Sequence, residues 1–112
     1  MRWSQIDTTP CPLAQTMAII GDSWTLLLLR DAVRGARKFE EFKQLTGASR
    51  AIISERLAHL VEHGILDRVI YQAHPPRYEY HLTSRGRALQ PVMMLMAHWA
   101  ETHLPALVHP VD

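Results

Sequence analysis

His59-Leu60-Val61-Glu62-His63 sets two imidazoles four positions apart, the spacing at which side chains meet on one helical face and can share a metal ion. The same string matches the H-x-x-E-H pattern of one group of zinc peptidases. Two features oppose that chemistry. Leu60 and Val61 fall on an apolar stripe that must face a core, and the chain offers no identifiable third ligand. Ordinary surface histidines are therefore expected, with no metal and no cofactor. No glycine-rich phosphate loop and no Gly-x-Ser-x-Gly elbow occurs in the 112 residues, so the chain is not expected to be an enzyme.

The second reactive group is Cys11, the one cysteine, set between Pro10 and Pro12. A helix starting there aims free amides and a dipole that favour an anion. With no second cysteine in the chain, the available chemistry is an intersubunit disulfide, a mixed disulfide with a small thiol, or alkylation. A small apolar residue that only packs is the plain alternative. One cysteine builds no disulfide framework, which suits a reducing compartment and a cytoplasmic location. No apolar run approaches the roughly 20 residues that span a bilayer, and the amino terminus lacks the order of a signal peptide.

The third group is cationic. Net charge is only +1, but residues 34 to 87 hold ten Lys and Arg against six acids, while the ends hold two against five. That segregation gains meaning only once the side chains are placed on elements.

Pro12 to Ile20 reads as a first helix, closed by Gly21. Asp22 or Ser23 caps a second, whose Trp24 and Leu26 to Leu29 make it apolar nearly all round and place it mid-core. Gly35 ends it. Arg37 to Phe39 form a short strand before a third helix with Phe39, Phe42 and Leu45 on one face. Thr46, Gly47 and Ala48 then make a turn of helix-turn-helix length. Ser49 caps a fourth helix carrying Ile53, Leu57, Leu60 and Val61 on one stripe and ending at Gly64. Leu66 to Tyr71 and Tyr78 to Leu82 read as a hairpin with His74, Pro75 and Pro76 at its tip. On the second strand, Tyr78, Tyr80 and Leu82 alternate with Arg77, Glu79 and His81. Thr83 or Ser84 caps a last helix to about residue 103, with a kink or late start near Ala88 because Pro91 interrupts its bonding. Pro105 and Pro110 mark a frayed tail. One domain over 1 to 112 is expected, mainly α with a small β-hairpin: a winged helix-turn-helix with a three-helix core, a two-stranded wing and terminal dimerisation helices.

This order of elements fits duplex DNA. The major groove, about 12 Å wide, admits one helix whose first turns reach base edges. With its stripe committed to the core, the fourth helix presents Ser49, Arg50, Ala51, Ser54 and Glu55 at its leading end, Arg50 being the candidate for base readout. Arg56, Lys38 and Lys43 are placed at phosphates. The wing adds His74 and Arg77, one of which suits the adjacent minor groove.

Several stretches together resemble the HxlR-type family of winged helix-turn-helix regulators. They are Cys11-Pro12-Leu13, Ile20-Gly21-Asp22-Ser23-Trp24, Arg37-Lys38-Phe39, Ser49 to Leu60, Glu62 to Leu66, Pro75 to Tyr80, and Gly86-Arg87-Ala88-Leu89. The similarity covers about residues 11 to 103, including a helix-turn-helix at about 39 to 63, a wing at 66 to 82 and a last helix at 84 to 103. It implies a dimeric transcription regulator whose terminal helices form the interface, adding Leu13 and Met17 to that surface, and some family members sense oxidants or electrophiles through a cysteine at the place of Cys11. Ala51 and Ile52 depart from residues common in the family, so no base preference carries over.

Dimerisation also follows from the residues alone. Leu89, Val92, Met93, Met96, Trp99, Ala100 and His103 keep helical spacing on one long element and ask for more cover than a thin domain supplies. A twofold pair implies a near-palindromic operator. Three alternatives stand beside this reading. A regulator can respond to metal through His59 and His63, or to a small-molecule effector between the terminal helices near Met93, Met96 and Trp99. A winged helix can also serve protein contacts without DNA.

Overall fold

The computed structural model describes residues 11–104, as six helices and one hairpin: α1 (Pro12–Ile20), α2 (Ser23–Val33), α3 (Phe39–Thr46), α4 (Arg50–Glu62), β1 (Leu66–Gln72), β2 (Arg77–Leu82), α5 (Ser84–Arg87) and α6 (Gln90–His103). The tail expected at Pro105 and Pro110 lies outside the described residues, as does Pro10. No described helix is long and apolar enough to cross a membrane.

Asp22 starts α2 by accepting a hydrogen bond from the Thr25 N–H at 3.1 Å, which satisfies an amide the helix leaves orphaned. From there α2 runs through the middle, packing against α1, α3, α4 and β2, with Thr25, Leu28, Leu29, Asp31 and Ala32 buried. The core closes around it with Ile20, Phe42, Ile53, Leu57, Leu60, Ile65 and Leu66.

The stripe expected on α3 narrows. Phe42 is buried and Phe39 partly so, but Leu45 is 58% exposed. Each step of three residues drifts by about 60° around a helix axis, and in eight residues this carries Leu45 off the line that Phe42 holds. The strand expected at Arg37 to Phe39 shrinks to a single bridge, Lys38 opposite Glu79, with the Tyr80 N–H donating to the Arg37 carbonyl at 2.7 Å. Because the Lys38 position already caps α3, no residues remain to lengthen it.

Thr46 stays helical, so the turn between α3 and α4 is Gly47 to Ser49. Gly47, at φ 75°, supplies the left-handed conformation that ends α3. Ser49 Oγ accepts from the Ile52 N–H at 3.2 Å and begins α4. Gly64, at φ 73°, turns the chain from α4 into β1.

β1 and β2 pair antiparallel, Leu66 with Leu82, Arg68 with Tyr80 and Ile70 with Tyr78, with an irregularity before Gln72. Tyr80 and Leu82 pack on the core. Thr83 then caps α5 by accepting from the Gly86 N–H at 3.0 Å. The last helix is thus two pieces, broken at Ala88 and Leu89, with Pro91 in the first turn of α6, where its missing N–H costs no bond.

Candidate nucleic-acid interface

The leading end of α4 stands clear of the body. Ser49, Arg50, Ala51, Ser54 and Glu55 are all exposed, while Ile53 and Leu57 on the opposite side of the helix are sealed in the core. Arg50 reaches back to α3, its Nη2 lying 2.7 Å from Glu40 Oε2 and its guanidinium over the Phe39 ring at 5.5 Å. Both partners of that pair are more than 60% exposed. Such a pair contributes about 0–1 kcal/mol and gives way readily to a stronger anion.

Arg56 is placed differently. Its Nε and Nη2 grip the two carboxylate oxygens of Asp22 at 3.0 and 3.2 Å, and Glu55 adds a second ion pair. The Arg56 side chain is only 15% exposed, so its guanidinium ties α4 to the start of α2. Burial alone would raise the Asp22 carboxyl, but the hydrogen bond from Arg56, the Thr25 N–H and the charge of Arg56 outweigh it and hold the pKa below the ordinary value.

A second cationic region lies where the hairpin meets α3. Lys38, Tyr71, Arg77 and Tyr78 line a groove of about 500 Å³, with the Lys38 ammonium 4.7 Å above the Tyr71 ring. Lys38 is set there by the start of α3, where Glu41 accepts from the Arg37 and Lys38 N–H groups at 2.8 and 2.9 Å. Those bonds, that from Lys38 foremost, lower the Glu41 pKa. His74 is exposed at the hairpin tip and Lys43 half-buried on α3. Sequence reasoning missed Arg68 and Tyr71. Arg68 stacks over Tyr78 at 4.3 Å and, with Ser54 and Tyr80, lines a groove of about 340 Å³ between α4 and the hairpin. No alternation marked Arg68 and Tyr71, since every residue of β1 from Asp67 to Tyr71 is exposed.

The terminal helices present an apolar face. On α6, Val92, Met96 and Trp99 are exposed, as is Leu13 on α1, and His103 stacks 5.3 Å from Trp99. Ala100 is half-buried. Leu89, Met93 and Met17 turn toward the chain's own core. Met94 and Leu95, absent from the expected face, are 63% and 70% exposed. The mark of this was visible in the sequence, since α6 is apolar nearly all round rather than along one stripe.

A model of the HxlR-like helix-turn-helix family matches residues 19–107. The chain belongs to that family. An uncharacterized HTH-type transcriptional regulator of Mycobacterium bovis is 39% identical over 93 residues, covering 83% of this chain. The chain spans only 59% of that relative's length. Among solved structures, the redox regulator HypR in its reduced form superimposes with a TM-score of 0.78 at 31% identity, over 87% of this chain and 97% of that one. The reduced transcriptional regulator YodB of Bacillus subtilis does so with a TM-score of 0.72 at 28% identity, over 84% and 94%. The winged-helix architecture is thus that of HxlR-like proteins.

Two further groups of this HxlR-like chain stand apart from its cationic face. Cys11 is exposed at the cap position of α1. His59, half-buried, donates from Nε2 to the Ile19 carbonyl at 2.8 Å, and its ring lies 4.5 Å from that of His63. Burial chiefly lowers the His59 pKa, partly opposed by that hydrogen bond, so the imidazole favours its neutral form.

Proposed function

We propose that this chain is a sequence-specific DNA-binding transcription regulator that acts as a homodimer, with α4 in the major groove and the hairpin on the adjacent groove. The observation that carries the reading is the two-sided build of α4: Ile53, Leu57 and Leu60 locked inside, and Ser49, Arg50, Ala51, Ser54 and Glu55 offered outside on a capped and braced helix. Arg50 reads a base edge after releasing Glu40, Ser54 supports it, and Lys38, Arg77 and His74 meet backbone or minor groove. Arg56 is left out of that face, because Asp22 holds it. The exposed residues of α6, joined by Leu13, form the twofold contact, and the operator is near-palindromic.

Fluorescence anisotropy against DNA from upstream of the protein's own gene, with random DNA as control, tests this. Binding is selective and weakens as salt rises. Arg50→Ala costs about 1–3 kcal/mol and flattens selectivity, whereas Arg77→Ala lowers affinity for all sequences alike. Equal, weak binding of both DNAs by wild type and Arg50→Ala would overturn the reading.

A redox response through Cys11 is the finer reading of the same regulator. Its support is the exposed thiol at the start of α1, together with likeness to HypR, a redox regulator known in reduced and oxidized forms. Diamide releases DNA from the wild type and leaves Cys11→Ser bound. Equal release from both sinks it.

A further inference from the structure

The far end of α4 carries a cluster that DNA binding does not use. His59, Glu62 and His63 stand at positions i, i+3 and i+4 of one helical turn and the residue that caps it, and their ligand atoms all lie within 4.8 Å of one another. The two rings are tilted by 60° at a centroid separation of 4.5 Å. His63 Nε2 is 3.8 Å from Glu62 Oε1. An ion bound at about 2.0–2.2 Å from nitrogen and oxygen holds its ligand atoms no more than about 4.4 Å apart, so these must draw slightly closer to grip one.

The cluster differs from a chance pair of surface histidines in how it is held. Donation to the Ile19 carbonyl puts the His59 proton on Nε2 and its lone pair at Nδ1. Metal-ligating histidines almost always donate their other ring N–H to a carbonyl or carboxylate, which fixes the ring and its tautomer, and Ile19 already supplies that acceptor. On the other flank Arg85 donates to the His63 carbonyl at 3.0 Å, tying the backbone beside the third ligand to α5. Two imidazoles and a carboxylate suit zinc, nickel or copper and disfavour magnesium and calcium.

We propose that His59 Nδ1, the Glu62 carboxylate and His63 bind one divalent transition-metal ion of the zinc class, with water at the remaining position. Three ligands from a single turn form an open site, and the ion links the end of α4 to α1 through the ring that His59 anchors on Ile19. The proposal stands apart from the DNA reading and is tested without DNA.

Calorimetric titration of zinc chloride into the tag-free chain carrying Cys11→Ser, which removes the competing thiol, gives one ion per chain. His63→Ala and Glu62→Gln each weaken binding by at least about tenfold while the metal-free proteins melt as the parent does. His98→Ala, on exposed α6, leaves binding unchanged. Substoichiometric binding, binding indifferent to both His63→Ala and Glu62→Gln, or loss with His98→Ala overturns the site. Should His63→Ala fail to fold, the exposed Glu62→Gln decides alone.

Discussion

Helices α4 and α6 are nearly equal in length, 13 and 14 residues, and end in opposite situations. The first mixes charges with aliphatics, yet Ile53, Leu57 and Leu60 are fully buried, its start is capped by Ser49, and Arg56 and His59 anchor it to earlier parts of the chain. The second is richer in apolar residues and buries none of them completely. Apolar content therefore does not set burial. What sets it is whether the chain supplies a complementary surface, and among the described residues none covers exposed Met94, Leu95 and Trp99, the face that the proposed dimer would bury.

Substitutions can break that contrast. Leu57→Ala should cost about 2–5 kcal/mol in urea unfolding, at any protein concentration. Asp22→Ala, which removes a cap and frees a half-buried guanidinium, should cost about 1–3 kcal/mol. Its effect depends on pH. The folded Asp22 pKa lies below the reference of 3.8, so its stabilisation is complete above that value and is lost as pH falls through the folded pKa. On acidification below 3.8 the wild type should therefore lose more stability than Asp22→Ala, as acid-unfolding curves would show. Trp99→Glu should raise the dissociation constant of the proposed dimer at least about tenfold, or about 1.4 kcal/mol, in sedimentation equilibrium. Leu95→Ala should change the unfolding free energy of the dilute, dissociated chain by no more than about 0.5 kcal/mol. If it costs as much as Leu57→Ala under those conditions, α6 is covered by its own chain and the contrast fails.

Much of α4 was legible because its signals are local: Ser49 as cap, Ile53, Leu57 and Leu60 at helical spacing, Gly64 as stop. The exposed front of Ser49, Arg50, Ala51, Ser54 and Glu55 followed from that stripe. The hairpin was legible too, since each strand in the structure is only one residue longer than its run of Val, Ile and Tyr suggested. What stayed hidden was long-range. Arg56 finds Asp22 across 34 positions, and the hairpin brings Tyr71 and Arg77 to Lys38, pairings that no window of sequence contains. On α6, Met93 turns inward while Met94 and Leu95 turn out, a rotation that periodicity leaves open when every face is apolar.

The shared use of Asp22 has a kinetic consequence. One carboxylate closes the first turn of α2 and holds the flank of α4, so neither helix can shift without loosening the other. Amides at both places should then exchange with solvent through one common opening, as a single cooperative unit. A helix held this way is denied a private hinge. In the proposed complex its angle to the DNA is then set together with that of α2, and re-aiming one helix alone would first have to break the Asp22 contacts.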